Sequence, residues 1–347
     1  MSTVEPVFIG LSAIWCALAV FYAGEKLRID AHLPRRVTSL VFIALPLLAV
    51  VLLPLPAATA ATGLMLLAAF VWFARLQPED IGGWETEYAR MPRVTRDGNL
   101  VHVTDVRDFR YLTVEDVVPA YYDATYDLDR LTGVDLICSY WAGRHIAHVF
   151  LSFAFLDGRH VAVSVETRRR RNQAYSTVAG FFRHYQLIFV VADERDLIGV
   201  RTDTRREDVY LYRLRTTPEE RRRLFGGYMD RVAKLSEQPE FYHTVFNNCT
   251  SNIVSVIDGG LPKDQQLGMD WRLLFSGHAD EFAYSIGRLK TRLPFAELKR
   301  ASRIARPDGA TIDESYSASI RSPAVQATAE ERSGASATRL TAAATDR

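Results

Sequence analysis

The 347-residue sequence has few cysteines and almost no net charge. Its three cysteines, Cys16, Cys138 and Cys249, show no even spacing, so the sequence predicts no disulfide framework. Forty-two basic and 41 acidic residues leave a net charge of +1, which gives no indication of a nucleic-acid partner. No glycine-rich phosphate loop is present. The cysteines, taken one at a time, are therefore the first candidates for chemistry.

Charge is absent from two long stretches near the N-terminus, residues 6–24 and residues 37–74. A spanning helix needs about 20 apolar residues, and a 38-residue helix would be about 57 Å long, too long for one span. Pro54 and Pro56 divide the second stretch. The sequence therefore predicts a membrane region over residues 1–75, with three transmembrane helices at about 6–24, 38–53 and 58–74. No Lys or Arg precedes the first stretch, which argues against a cleaved signal peptide.

The loop between the first two predicted helices is basic, with Lys26, Arg28, Arg35 and Arg36. The positive-inside rule places such a loop in the cytoplasm. Three spans then place the rest of the chain in the cytoplasm as well.

The remaining chain divides by composition into a linker at 76–98, a folded domain at 99–305 and a tail at 306–347. Alternating or apolar runs predict strands at 100–106, 136–140, 145–155, 160–166, 186–192 and 209–214, followed by helices at 218–235 and 249–257. Strands first and helices after indicate an α+β domain with an antiparallel sheet. The tail is dominated by Ala, Ser and Thr, so it is predicted to be disordered.

The clearest element is a β-hairpin around Asp157-Gly158. A three-residue loop with Gly158 in the left-handed region pairs Phe155 with Arg159 and sets His148 opposite Glu166. A two-residue loop would move Glu166 to the other face of the sheet.

Cys249 falls at the predicted start of a helix, after the polar pair Asn247-Asn248. Free N–H groups there favour the thiolate and can hold an oxyanion, which suits a nucleophile. His148 points away from the apolar face of its strand and is the candidate base, with Glu166 orienting its ring. The alternatives are an inert buried cysteine, a structural histidine, and a glutamate that pairs with an arginine.

Metal binding is not expected, because His145 and His148 face opposite sides of one strand. The four arginines at 168–171 indicate a solvated loop or an anion contact rather than a nucleic-acid site, since no aromatic residues interleave them. We predict no cofactor.

Seven short motifs occur in a fixed order along the domain: Asp108-Phe109-Arg110-Tyr111, Tyr126-Asp127-Leu128, Ser139-Tyr140-Trp141, Ile146-Ala147-His148, Ser164-Val165-Glu166-Thr167-Arg168, Asp193-Glu194-Arg195-Asp196 and Asn247-Asn248-Cys249-Thr250. Together they resemble the bacterial Lnb N-terminal periplasmic domain family over about residues 85–290. That family is similar to permuted NlpC-type papain-like thiol enzymes, in which the His strand precedes the Cys helix. Its name comes from a lipoprotein N-acyltransferase.

The resemblance implies a thiol acyltransferase or hydrolase that is anchored in the membrane and forms an acyl-thioester on Cys249. A membrane lipid would be the acyl donor, and a lipoprotein or peptide amine the acceptor. Within the motifs, Asn247, Asn248, Arg168 and Trp141 are expected to contribute to binding. A cell-wall amidase or peptidase and a non-catalytic binding module remain open as alternatives.

The resemblance also implies a multi-pass protein of the bacterial inner membrane with its catalytic domain in the periplasm. The basic loop favours the opposite side, and we expect the periplasmic orientation.

Overall fold

The computed structural model describes residues 3–20, 34–80, 82–268, 270–307 and 309–321. They form two compact units. The first comprises residues from 1–85, 167–186 and 239–244, and the second comprises residues from 86–166, 187–238 and 245–347.

Three apolar helices open the first unit: α1 (Val4–Leu18), α2 (Arg35–Leu52) and α3 (Leu55–Arg75). Pro54 and Pro56 separate α2 from α3, because proline suits the first turn of a helix and not its interior. Within the described ranges, α3 is the one helix long and apolar enough to cross a membrane, since α1 and α2 are shorter. The described helices thus support one of the three predicted spans and not a multi-pass arrangement. Positions 21–24 of the first predicted span lie outside the described residues.

The three helices contact one another and leave large apolar side chains exposed. The indole of Trp15 donates a hydrogen bond of 2.7 Å to the Phe42 carbonyl, which joins α1 to α2. On the outer faces, Val51 is 78% exposed and Phe70 is 66% exposed. Contiguous exposed apolar surface of this kind is typical of contact with lipid or with a partner protein.

The second unit is built on a mixed, mainly antiparallel sheet, and its α+β class agrees with the sequence prediction. Its strands are β1 (Arg93–Asp97), β2 (Leu100–Arg107), β3 (Arg110–Tyr111), β4 (Val117–Val118), β5 (Tyr121–Asp127), β6 (Leu131–Tyr140), β7 (Ala147–Phe155), β8 (His160–Arg168), β9 (Gln186–Asp193) and β10 (Asp208–Arg213). The strand order in the sheet is β1-β2-β9-β8-β7-β6-β10, with β5 also paired to β2 and with β3 and β4 forming a separate small ribbon.

Seven helices accompany these strands among the described residues: α4 (Glu194–Leu197), α5 (Pro218–Glu237), α6 (Cys249–Asp258), α7 (Trp271–Leu274), α8 (Ala279–Ser285), α9 (Phe295–Ser302) and α10 (Tyr316–Ser319). Helix α5 begins at a capping box formed by Thr217 and Glu220. Its Phe225 ring packs edge-on against Phe153 of β7, with ring centroids 5.0 Å apart. Strand β7 is central and almost entirely buried, so it is a rigid support for any side chain it carries.

Two predicted boundaries are wrong. Strand β1 lies inside the predicted linker 76–98, where it pairs with β2. The C-terminal segment is ordered beyond residue 306, because α10 buries Tyr316 completely and Ile320 almost completely in the core. These buried side chains help to anchor the segment, although its composition resembles that of a disordered chain. Positions 322–347 of the predicted tail lie outside the described residues.

Candidate active site

The hairpin of β7 and β8 has the predicted register. The Phe155 amide donates to the Arg159 carbonyl at 3.0 Å, and Gly158 has a φ of +85° that favours glycine. Paired positions run from Ala154–His160 to Leu151–Val163. Continuing the same count places His148 level with Glu166, as the three-residue loop predicts.

A serine connects the histidine to the glutamate. The His148 Nε2 atom lies 2.6 Å from the Ser164 hydroxyl, which in turn donates to Glu166 Oε1 at 3.0 Å. The direct distance from Nε2 to Oε1 is 3.6 Å, longer than a hydrogen bond. The predicted direct contact is therefore replaced by a relay through Ser164. Because the serine proton is donated to the carboxylate, Nε2 carries the imidazole proton and Nδ1 keeps a lone pair.

Glu166 is held by two further partners. The Arg201 guanidinium lies 3.0 Å from its Oε1 atom, and the Tyr88 hydroxyl donates to Oε2 at 3.2 Å. Burial alone would raise the pKa of this carboxyl, but the charge of Arg201 holds its pKa well below the ordinary value. The carboxylate is therefore ionised and fixed in position.

The imidazole is neutral at physiological pH. Burial and the nearby Arg201 charge together lower the pKa of His148 to about 3, although the Glu166 charge opposes them. A neutral ring with a free Nδ1 lone pair can accept a proton, so His148 has the protonation state that a general base requires.

Cys249 is the first residue of α6, at the end that Asn248 caps. The Asn248 side-chain carbonyl accepts a hydrogen bond from the Ser251 amide at 2.8 Å, and the Ser251 hydroxyl accepts one from the Asn248 amide at 2.8 Å. Burial raises the pKa of the Cys249 thiol, although the N–H groups of Val149, Thr250 and Cys249 itself favour the thiolate. The prediction of a lowered thiol pKa is thus wrong, because desolvation outweighs the helix terminus. The resting group is a thiol that needs a base.

Strand β7 affects the charge state of Cys249. The backbone N–H of Val149, the residue that directly follows His148, favours the thiolate, and the Glu166 carboxylate adds to the rise of the thiol pKa. Helix α6 packs on β7, which explains this effect. The structure therefore places Cys249 at the start of a helix that packs on the strand of His148, and it places Glu166 level with His148 on the adjacent strand.

The two asparagines predicted to bind a ligand hold the start of α6. Asn248 is buried and caps the helix, as described above. The Asn247 side-chain carbonyl accepts a hydrogen bond of 2.9 Å from the Asn252 amide. Both contacts stabilise the helix terminus that presents Cys249, so these residues act by positioning it.

The other two predicted binding residues lie elsewhere. Arg168 belongs to the first unit, where its side chain is 3% exposed, pairs with Asp80 at 3.2 Å and stacks over the Trp84 ring at 4.2 Å. Its predicted role in binding is unsupported by this buried position. Trp141 is 49% exposed and lines a surface cavity with Tyr140 and Tyr210, so it is available to a ligand.

Sequence reasoning missed Arg201 and Tyr88 and did not give Ser164 its place between histidine and glutamate. The signal for Ser164 was available, because alternation puts it on the strand face of Glu166. Arg201 comes from a π-helical turn, Val200–Thr204, which has no simple sequence signature.

The candidate site lies in a segment that matches a known family. The family model described as Lnb N-terminal periplasmic domain matches residues 118–277. That segment contains His148, Ser164, Glu166, Arg201 and Cys249. Comparisons with curated proteins and with solved structures give no match. The match to the Lnb N-terminal periplasmic domain family thus confirms, over residues 118–277, the resemblance that the sequence motifs indicated.

Proposed function

We propose that this chain is a membrane-anchored thiol enzyme that forms an acyl-thioester on Cys249 and passes the acyl group to an amine or to water. The observation that carries the proposal is that the helix beginning with Cys249 packs on the strand of a neutral His148, whose Nε2 is linked through Ser164 to Glu166. A nucleophile, a base and an orienting carboxylate are the parts that acyl transfer requires. No cofactor is needed for this chemistry.

The reaction has two balanced steps. In the first, His148 Nδ1 takes the thiol proton while the sulfur attacks the acyl carbonyl, and the ester C–O bond of the donor breaks as the proton passes to the leaving alcohol. In the second, an amine or a water molecule attacks the thioester, the C–S bond breaks, and the sulfur regains a proton through His148. The N–H groups at the start of α6 would stabilise the oxyanion in both steps.

Chain order supports a permuted papain-like arrangement. His148 and Glu166 lie on strands that precede the helix carrying Cys249, and that helix packs on the histidine strand. The same order characterises the permuted thiol enzymes that the sequence resembles.

An apolar cavity under the helix that begins with Cys249 favours an acyl chain over a polar peptide as the donor group. It has a volume of about 110 Å³ and lies between α6, α8 and the Val149 face of β7. Its lining is mostly aliphatic and includes Ile253, Val254 and Ala283. Each methylene buried in such a cavity contributes about 0.8 kcal/mol to binding.

Filling this cavity should shorten the accepted acyl chain. We expect Ala283→Phe to lower kcat/KM for an octanoyl thioester or p-nitrophenyl ester at least about tenfold and to leave the acetyl ester nearly unchanged, because the aromatic ring occupies the space of the distal methylenes. Ala305→Phe, at an exposed position, is the matched control. Equal effects on both esters would contradict an acyl cavity, and selective cleavage of cell-wall peptides would favour the amidase alternative.

We expect the hydrogen-bond relay through Ser164 to affect the catalytic rate and not the stability of the fold. We expect Ser164→Ala to lower kcat by about 10–100-fold with little change in KM, because the ring loses its fixed orientation and tautomer. Glu166→Gln should lower kcat comparably. Ser236→Ala, on the surface of α5, is the control. Unchanged kcat in Ser164→Ala, with melting unaffected, would show that the histidine is positioned without the relay.

We also propose that α1 and α2 join α3 in crossing the inner membrane and that the domain faces the periplasm, with a membrane lipid as acyl donor and a lipoprotein or peptide amine as acceptor. The exposed apolar faces of the helices and the periplasmic description of the family support this orientation.

Labelling will decide the side of the membrane. Ala318 is exposed on α10, so we expect Ala318→Cys to react with a membrane-impermeant maleimide in intact spheroplasts. The wild-type chain, with its own three cysteines, gives the background. Labelling only after lysis would place the domain in the cytoplasm, the side that the basic loop favours.

A further inference from the structure

A polar cavity in the first unit lies where the membrane-spanning helix ends. It has a volume of about 280 Å³, near the lower end of the range for ligand pockets, about 300–1,000 Å³. Helix α3 contributes its last residue, Arg75, and the segment that follows contributes Leu76, Gln77 and Glu79. The opposite walls come from residues 170–186 and from Phe241. A cavity at the end of a spanning helix lies at the depth of lipid headgroups.

The cavity carries excess positive charge. Three arginines line it, Arg75, Arg170 and Arg183, against one carboxylate, Glu79, which gives a net charge of +2. Arg168 and Arg169, from the same four-arginine run as Arg170, pair with Asp80 and Glu85 and do not line the cavity. Of the four arginines at 168–171 that were predicted to form an anion contact, Arg170 lines this cavity.

Arg183 reduces the negative potential at the C-terminal end of α3, which would otherwise repel an anion. Its Nη1 atom donates to the carbonyls of Phe73 at 2.8 Å and Leu76 at 3.1 Å, which offsets the negative potential of a helix C-terminus. Its backbone has a φ of +57°, in the left-handed region that favours glycine. Its Nη2 and Nε atoms are not used in these bonds.

We infer that this cavity binds the phosphodiester of a glycerophospholipid headgroup. Arginine guanidinium groups form charge-assisted hydrogen bonds that fit phosphate oxygens, and the position at the end of α3 puts them at the level where the membrane presents such groups. Trp72 and Phe73 precede Arg75 and suit the interfacial belt around the headgroups. The chemistry is that of any phosphate, and the location favours a lipid as its source.

The experiment uses the full-length chain, purified in detergent and stripped of lipid. Dihexanoyl phosphatidylglycerol, dihexanoyl glycerol and inorganic phosphate are titrated separately, and binding is measured by calorimetry. We expect the phosphatidylglycerol to bind, and the double variant Arg75→Gln/Arg170→Gln to weaken its binding about tenfold or more. Arg183 is left unchanged because it caps α3. Arg171→Gln, an equal charge change at an exposed neighbour outside the cavity, should bind as the wild type does.

Three results would overturn the inference. Equal binding of the phospholipid to the wild type and the double variant, with both melting at the same temperature, would show that the arginines hold no phosphate. Binding of inorganic phosphate as tight as that of the lipid would make this a site for the free ion. Equally tight binding of dihexanoyl glycerol would show that the acyl chains, rather than the phosphodiester, are recognised.

Discussion

Cys249→Ser and His148→Ala should each reduce acyl transfer by about 10⁴-fold, and the double variant should lose little more. In the proposed mechanism the thiol and the imidazole act as one unit, so removing either ends the proton transfer that the other needs. Neither change opens a large cavity, and melting should move little. The measurement is single-turnover formation of the acyl-enzyme with a chromogenic ester. Residual activity that is additive between the two variants would contradict a shared step.

The pH dependence of Cys249 alkylation distinguishes a resting thiol that His148 deprotonates from a preformed thiolate. Burial raises the pKa of Cys249, so iodoacetamide modification should accelerate as pH rises past neutrality and should show no plateau at acid pH. Cys138 is fully buried and should react far more slowly. His148→Ala should slow alkylation of Cys249 near neutral pH, because its base is lost. A fast, pH-independent reaction down to pH 5 would indicate a thiolate–imidazolium pair instead.

The hairpin could be predicted to the residue because local rules determine it. A side-chain period of two, one left-handed glycine and a three-residue loop leave a single register that puts His148 and Glu166 on the same face. The helix of Cys249 was equally accessible, because Asn248 and Gly259 mark its ends. These parts of the site depend on short stretches of chain.

The remaining parts depend on contacts between distant segments. Burial keeps the Cys249 thiol protonated, and strand β7, which contributes to its surroundings, lies about 100 residues away in sequence. No pattern in the residues around Cys249 predicts that burial. Arg201 meets Glu166 only because β8 and β9 are neighbours in the sheet. The composition of the C-terminal segment indicates disorder, but the segment is ordered in the second unit up to residue 321. Its Tyr316 ring is buried, and its Arg321 side chain pairs with two buried carboxylates.

That arginine, Arg321, is the basis of the second large expected effect. Its guanidinium lies 2.6 Å from Glu194 and 2.8 Å from Asp135, and both carboxylates are completely buried. Asp135 also has Arg213 at 2.7 Å, whereas the other polar contact of Glu194 is the Ser152 hydroxyl at 2.5 Å. Burial would raise the pKa of Glu194, but Arg321 holds it below its ordinary value. Glu194 is therefore the group that depends most on the C-terminal segment.

Arg321→Met should lower the free energy of unfolding by about 3 kcal/mol, because it leaves a buried carboxylate without its charge partner. For a domain of this size, the melting temperature in detergent should fall by roughly 6–12 °C. Arg303→Met is the matched control, because its ion pair with Asp208 is exposed and its loss should cost less than about 0.5 kcal/mol. Glu194→Gln in the Arg321→Met background should recover part of the loss, since the uncompensated charge is removed.

The pH dependence of the melting temperature shows whether Arg321→Met lowers stability by removing a charge. A carboxyl whose folded pKa lies below its unfolded value of 4.5 stabilises the protein above that pH, and the stabilisation disappears as the pH falls through the folded pKa. The gap in melting temperature between the wild type and Arg321→Met should therefore be full at pH 7 and should narrow below about pH 4.5. A gap that stays constant with pH would mean that Arg321 stabilises the C-terminal segment through packing of its methylenes and not through its charge.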